Sequence, residues 1–169
     1  KNNTPSLIIF QKAGFIISKD TREYLNLTKP LKDISFKSVN INHVDLLYQL
    51  LSKRENNISH NSMPTYENHK QFVSSNPYRY WYLIYEGKEV IGNFYLKDNN
   101  SIGMNVLNPT LRSIKKVCDF IKKNFQINNP LPSSIPPYFY INVAESNKKL
   151  LQILRHLGHL EIQRSVKLK

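Results

Sequence analysis

Apolar and polar side chains alternate along several short segments, and this spacing predicts β-strands. The clearest lie mid-chain, where two segments rich in aromatic and β-branched residues flank a turn at Gly87 and a third follows a polar turn. The expected strands are residues 34–39, 80–85, 90–97, 101–107, 138–143 and 160–168. The three central strands are close enough in sequence to predict an antiparallel meander.

Four other segments carry the signals of helices. Asn42 and Thr65 are suitable N-caps for the first two, Thr110 or Ser113 opens a strongly amphipathic third, and Gly158 is a suitable C-cap for the last. The expected helices are residues 42–54, 65–73, 110–124 and 147–157. The proline-rich segment 128–137 is expected to be an irregular loop.

The first residues stand apart from this pattern. Residues 6–10 and 15–18 are apolar runs separated by a segment that contains Gly14, which predicts a hairpin. The sequence therefore predicts a hairpin extension over residues 1–30 and a single domain over residues 31–169. The start at Lys1, without a methionine, suggests a piece of a larger parent chain, so a fused or neighbouring domain is a possible partner.

Composition narrows the class of protein. With 40% hydrophobic and 21% charged residues, the 169-residue chain has enough apolar material for a folded core. No apolar run approaches the roughly 20 residues of a membrane span, and no signal-peptide pattern opens the chain, so we expect no membrane partner. The single cysteine, Cys118, excludes an internal disulfide and a cysteine-based zinc cluster, and favours a cytoplasmic location.

The charge is strongly positive. There are 24 lysines and arginines against 12 acidic residues, a net charge of +12. Such a field suits RNA, an acidic surface or a phosphorylated small molecule, although scattered surface lysine explains it equally well. A nucleic-acid-binding domain therefore remains one hypothesis.

The order of the elements provides a more specific indication. A strand, two helices, a three-stranded meander, a helix, a strand, a helix and a last strand follow one another over residues 34–168. The meander carries Gly87-Lys88-Glu89-Val90-Ile91-Gly92, and the last helix runs from Asn147 to Gly158, followed by His159. This order and these motifs resemble the GNAT (Gcn5-related N-acetyltransferase) superfamily, whose fold is α/β, a mixed central sheet flanked by helices.

The resemblance implies that acetyl-CoA binds in a V-shaped gap between two adjacent parallel strands, here 101–107 and 138–143. The pantetheine arm would pair with strand backbone, and the pyrophosphate would meet the start of the following helix. The residues that the resemblance assigns to the cofactor are Met104, Asn105, Val106, Leu107, Arg112, Ser113, Ile114, Lys115, Asn142 and Asn147.

Two positions depart from the family pattern. The family's phosphate loop, R/Q-x-x-G-x-G/A, has no glycines here, and the cations Arg112, Lys115 and Lys116 would replace some of the amide contacts by charge. The last helix has Ile153-Leu154 about where the family often has a tyrosine that protonates the leaving thiolate.

For the acceptor, His60 and Glu67 lie in the segment that usually forms the substrate wall, and either could remove a proton from the attacking amine. His69, beside Glu67, is a further candidate, the alternatives for the two histidines are a solvent-exposed loop and a helix surface, and no spacing typical of a metal site is present. The leading hypothesis is an acyltransferase that moves an acetyl group from acetyl-CoA to a primary amine of an amino sugar or amino acid. A catalytically inactive GNAT-like binding module is the alternative.

Overall fold

A computed structural model describes residues 4–20, 25–28, 30–56, 62–163 and 165. The chain divides into two compact units, Lys1–Asp33 and Ile34–Lys169.

The first unit contains a helix and a hairpin. Helix α1 is Thr4–Lys12, and strands β1 (Ile16–Asp20) and β2 (Leu25–Thr28) pair antiparallel. The predicted hairpin of residues 6–10 and 15–18 is therefore wrong, because residues 6–10 are helical and the hairpin that is present pairs residues 16–20 with 25–28. Gly14, with φ of 86°, lies just beyond the end of the helix rather than in a strand turn, and the Phe15 N–H donates to the Phe10 carbonyl, as at many helix ends.

The second unit is built on one five-stranded sheet in the order β3-β4-β5-β6-β7. Its first four strands are antiparallel neighbours, which confirms the predicted meander, and β6 and β7 are parallel, as expected. The strands are β3 Ile34–Ser38, β4 Tyr80–Glu86, β5 Glu89–Leu96, β6 Ser101–Val106 and β7 Tyr140–Ile141.

Helices cover both faces of this sheet. The helices are α2 Val44–Ser52, α3 Tyr66–Ser75, α4 Leu111–Asn124 and α5 Lys148–His156, with a short 3-10 turn at Ile41–His43. Helices α2 and α3 pack on Trp81 and Leu83, whereas α4 packs on Phe94 and Ile102 of the opposite face. The result is a helix–sheet–helix sandwich, which confirms the predicted fold class.

Close backbone contact in the sheet depends on glycine at one point. A Cβ atom on Gly92 would lie 2.3 Å from the backbone oxygen of Asn105, so any other residue would force β5 away from β6.

The C-terminal part departs from the sequence-based expectation. Strand β7 contains two residues rather than the predicted six. Residues 160–163 are irregular, with Leu160 87% exposed, and the rest of the predicted last strand lies largely outside the described residues. Within the part of the chain that the structure describes, no helix has the length and hydropathy needed to cross a membrane.

Candidate functional site

A gap opens in the sheet between β6 and β7. The paired residues are Ser101 with Tyr140 and Ile102 with Ile141, and beyond them the Asn142 N–H donates to the Ile102 carbonyl at 3.0 Å. Strand β6 then continues to Val106 without β7 beside it. The sheet therefore separates at the carboxyl ends of its two parallel strands.

The backbone of β6 faces this gap at alternate residues. Ser101 and Leu107 bond to the β5 side, since the Lys97 N–H donates to the Ser101 carbonyl and the Leu107 N–H to the Ile91 carbonyl. By alternation, the N–H and C=O groups of Met104 and Val106 face the gap. Neither residue has a backbone partner on that side among the described residues, so an extended ligand could pair with both.

The two faces of the gap differ. The side chains of Met104 and Val106 pack with those of Ile141 and Val143 against the core between α4 and α5. On the opposite face, the Asn105 side-chain amide donates to the Leu50 carbonyl of α2 at 3.1 Å. The gap thus has α4 and α5 on one face and α2 on the other.

Several solved structures are similar in fold to this chain. A domain from Methanocaldococcus jannaschii is 12% identical, with a TM-score of 0.56 over 79% of this chain and 92% of that one. The N-acetyltransferase PseH of Campylobacter jejuni is 13% identical, with a TM-score of 0.52 over 80% and 92%. RimL, a ribosomal L7/L12 α-N-protein acetyltransferase solved with coenzyme A, is 14% identical, with a TM-score of 0.50 over 75% and 80%.

The chain has the GNAT fold. Comparison at the level of sequence finds no matching family model and no matching curated protein. At 12 to 14% identity, the likeness to solved structures establishes the fold, and the chemistry must be argued from the residues of this chain.

In a GNAT fold, a phosphate group is expected to bind at the start of the helix that follows the gap, which here is α4. In this chain, many of the polar groups at the start of α4 are already hydrogen-bonded. Thr110 and Ser113 form a capping box, each side chain accepting from the backbone N–H of the other. Pro109 has no N–H, and the Ile114 N–H donates to the Thr110 carbonyl. The Leu111 N–H has no protein acceptor within the described residues, so it is a donor that a phosphate could use.

Two of the expected phosphate cations are paired with carboxylates. The Arg112 guanidinium lies 3.2 Å from the carboxylate of Glu86, the last residue of β4, and the Lys115 ammonium lies 2.6 Å from the carboxylate of Asp119 one helical turn further on. The Lys115 hydrogen bond holds the pKa of Asp119 below its usual value. A phosphate group at this helix start must therefore compete with carboxylates for both cations.

A groove passes from this helix start to the α2 face. It consists of two neighbouring cavities of about 400 and 310 Å³, which share Glu89, Val90 and Leu107. Glu86 and Thr110 line the first, and α2 lines the second. The groove therefore runs from the start of α4 to α2.

Of the remaining predicted cofactor residues, two have structural roles and one is exposed. Asn147 caps α5 by accepting from the Leu150 N–H at 3.1 Å, and the Asn142 side chain is exposed beside the gap. The side chain of Ile114 is fully buried in the core. Among the predicted cofactor residues, Met104 and Val106 thus have backbone N–H and C=O groups that face the gap and could bind a ligand.

The structure describes one of the two main predicted acceptor residues. His60 lies outside the described residues. Glu67 is exposed in the first turn of α3. Its neighbour His69 is buried instead, with Nε2 3.3 Å from the Val44 carbonyl, and so joins α3 to α2.

Two tyrosines that were not predicted as site residues lie near the inner end of the gap. Tyr95 is opposite Gly103 in the β5–β6 register, and its ring stacks on Tyr78 with centroids 3.8 Å apart. The sequence contained a signal for this arrangement, a large aromatic opposite a glycine on the neighbouring strand, but it becomes visible only once the register is known. In α5, Ile153 and Leu154 pack into the core, so this helix presents no acid at those positions.

Proposed function

We propose that this protein is an N-acetyltransferase that moves an acetyl group from acetyl-CoA to a primary amine of a small molecule, such as an amino sugar or amino acid. One observation carries the proposal, the pair of residues Met104 and Val106 whose backbone groups face the gap beyond β7. An unpaired strand edge inside a folded sheet leaves polar groups unsatisfied unless a ligand or water pairs with them. The pantetheine arm carries amide groups suited to that pairing.

The fold supports the choice of ligand. RimL, which shares it, was solved with coenzyme A, and PseH is named an N-acetyltransferase. The net charge of +12 favours a polyphosphorylated donor. Amine attack on a thioester needs mainly positioning and a weak base, for which His60, Glu67 or water are the candidates.

Calorimetry with acetyl-CoA tests the first half of this proposal. We expect saturable binding, followed by release of free CoA when amino sugars and amino acids are screened as acceptors. No heat of binding at millimolar acetyl-CoA would contradict the proposal.

A substitution at the gap makes the test specific to the proposed contact. Val106→Pro removes the N–H that faces the gap, at a position that resembles an edge strand and so tolerates proline better than the sheet interior. Val106→Ala keeps the N–H and is the matched control. We expect acetyl-CoA to bind the proline variant at least tenfold more weakly than the alanine variant, provided that circular dichroism shows both to be folded.

The alternative, a GNAT-like module that binds without catalysis, is favoured by the start of α4. The capping box and the Arg112–Glu86 pair occupy groups that a phosphate would use. This alternative predicts that neither acetyl-CoA binding nor CoA release is seen, so the same measurements separate the two.

A further inference from the structure

The Tyr95 side chain lies across the backbone of β6. A Cβ atom built on Gly103 would be 2.1 Å from Cζ and 2.3 Å from the hydroxyl oxygen of Tyr95. The phenol thus occupies the space that a side chain at position 103 would need. Tyr95 packs with the core on the α2 face, so its hydroxyl lies on that face of the sheet.

This hydroxyl is close to the inner end of the gap. Gly103 directly follows Ile102, the last β6 residue that pairs with β7, and the Asn142 N–H closes that pairing on the Ile102 carbonyl. A side chain that starts on β5 and crosses Gly103 points toward β7. The phenol therefore reaches the place where the two strands begin to separate.

Neighbouring aromatic rings hold the phenol in place. Tyr78 stacks on Tyr95 at an interplanar angle of 6°, and Trp81 meets Tyr78 edge to face at 5.0 Å. Burial first, and then the Tyr95 hydroxyl, raises the pKa of Tyr78 far above its usual value. Tyr78 therefore remains a neutral hydroxyl beside Tyr95 and can donate a hydrogen bond to it.

A bound acetyl-CoA would place its sulfur at this point. If the phosphates lie at the start of α4, the arm runs from Leu107 back along Val106 and Met104. Its reactive end then lies beside Gly103, beneath the phenol. This placement rests on the proposed function.

We propose that Tyr95 is the catalytic acid that protonates the leaving sulfur of coenzyme A. The amine nitrogen bonds to the thioester carbonyl carbon, the carbon–sulfur bond breaks, and its electron pair remains on sulfur. The Tyr95 O–H gives its proton to that sulfur and becomes a phenolate. The amine nitrogen, now an ammonium, loses a proton, and that proton restores the phenol. Helix α5 has apolar residues at positions 153 and 154 and so offers no acid there, which leaves this role to another side chain.

The binding test compares coenzyme A with desulfo-coenzyme A, the analogue that lacks the sulfur. The protein should bind coenzyme A about three- to tenfold more tightly, as expected for one hydrogen bond. Tyr95→Phe keeps the ring and should bind both probes equally. Tyr82→Phe, on the opposite face against Phe94, is the control and should keep the preference.

The kinetic test uses acetyl-CoA with whichever screened amine releases CoA. Tyr95→Phe should lower kcat at least tenfold and leave the KM for acetyl-CoA within about twofold. Unchanged kcat in this variant, with an active parent, would overturn the role of Tyr95 and leave the proposed function standing. A parent that binds neither probe would overturn both, and a parent with no preference for the sulfur would overturn the Tyr95 role without any variant.

Discussion

One buried side chain, that of Asn100, holds the proline-rich loop to the sheet. Its amide donates to the Asn128 and Pro136 carbonyls, and its oxygen accepts from the Asn128 N–H at 2.7 Å. Asn100 is fully buried and has φ of 65°, in the left-handed region that asparagine tolerates better than most residues. Both its conformation and its hydrogen bonds therefore select asparagine.

Asn100→Ala should lower the free energy of unfolding by roughly 3 kcal/mol, because it leaves buried backbone groups unpaired and strains φ. Asn100→Gly relieves the strain in φ but restores no hydrogen bond, so its free energy of unfolding should exceed that of Asn100→Ala by about 1 kcal/mol. Urea denaturation of both variants measures the difference. Equal stability of parent and alanine variant would show that water replaces these contacts.

At the scale of elements, the start of α4 carries a cation, Arg112, that could attract a phosphate, and Glu86 competes for that cation. Arg112 can hold a phosphate only if it leaves or shares Glu86. Arg112→Ala should therefore weaken acetyl-CoA binding by roughly 1.5 to 3 kcal/mol, the range for a charge-assisted hydrogen bond. Glu86→Gln should strengthen it several-fold, and the effect should shrink with salt.

Titration calorimetry at two ionic strengths measures both changes. Glu161→Gln removes the carboxylate of another exposed pair, with Arg155 at 2.9 Å, and is the control for net charge. If Glu86→Gln and Glu161→Gln raise affinity equally, only the total charge matters. That result would contradict a phosphate contact through Arg112.

A buried histidine, His43, lies at the junction of the 3-10 turn and α2. His43 is buried, and its Nδ1 accepts from the Asn40 N–H at 3.0 Å, which requires the neutral ring. Burial, and then the charge of Lys37, lowers the pKa of His43, and burial also lowers that of His69. A lowered pKa in the folded state means that the unfolded chain takes up protons first as the pH falls.

The free energy of unfolding should therefore fall as the pH drops below about 6.5, the usual histidine value. His43→Gln keeps an acceptor for the capping box without a titrating ring, and should make this dependence shallower. His156→Gln, at an exposed helix end, is the control. Identical pH profiles for His43→Gln and the parent would exclude His43 as a source of the effect.

The sequence predicted elements well wherever periodicity ran over a full helix or a hairpin. Helix α4 begins one residue after its predicted cap at Thr110, and β4 and β5 differ from expectation by a residue or two. The short apolar run at residues 6–10 is compatible with either a helix or a strand, and it is helical. The pairing of Arg112 with Glu86 was invisible because it joins residues 26 positions apart.

At the scale of the whole molecule, the chain consists of two compact units, and the larger one has its own core on each face of the sheet. We propose that residues 1–30 are an addition to this domain. Their deletion should leave a cooperatively unfolding protein whose melting temperature lies within a few degrees of the parent. A broad, non-cooperative transition in the truncated chain would show that the first unit is needed for folding.

The short β7 also has an evolutionary consequence. If β7 extended alongside β6, it would satisfy the backbone of Met104 and Val106 from within the chain and make the sheet more robust. The same change would fill the place that the proposed function assigns to acetyl-CoA. Selection for thermal resistance alone should therefore favour variants that have lost the proposed binding site.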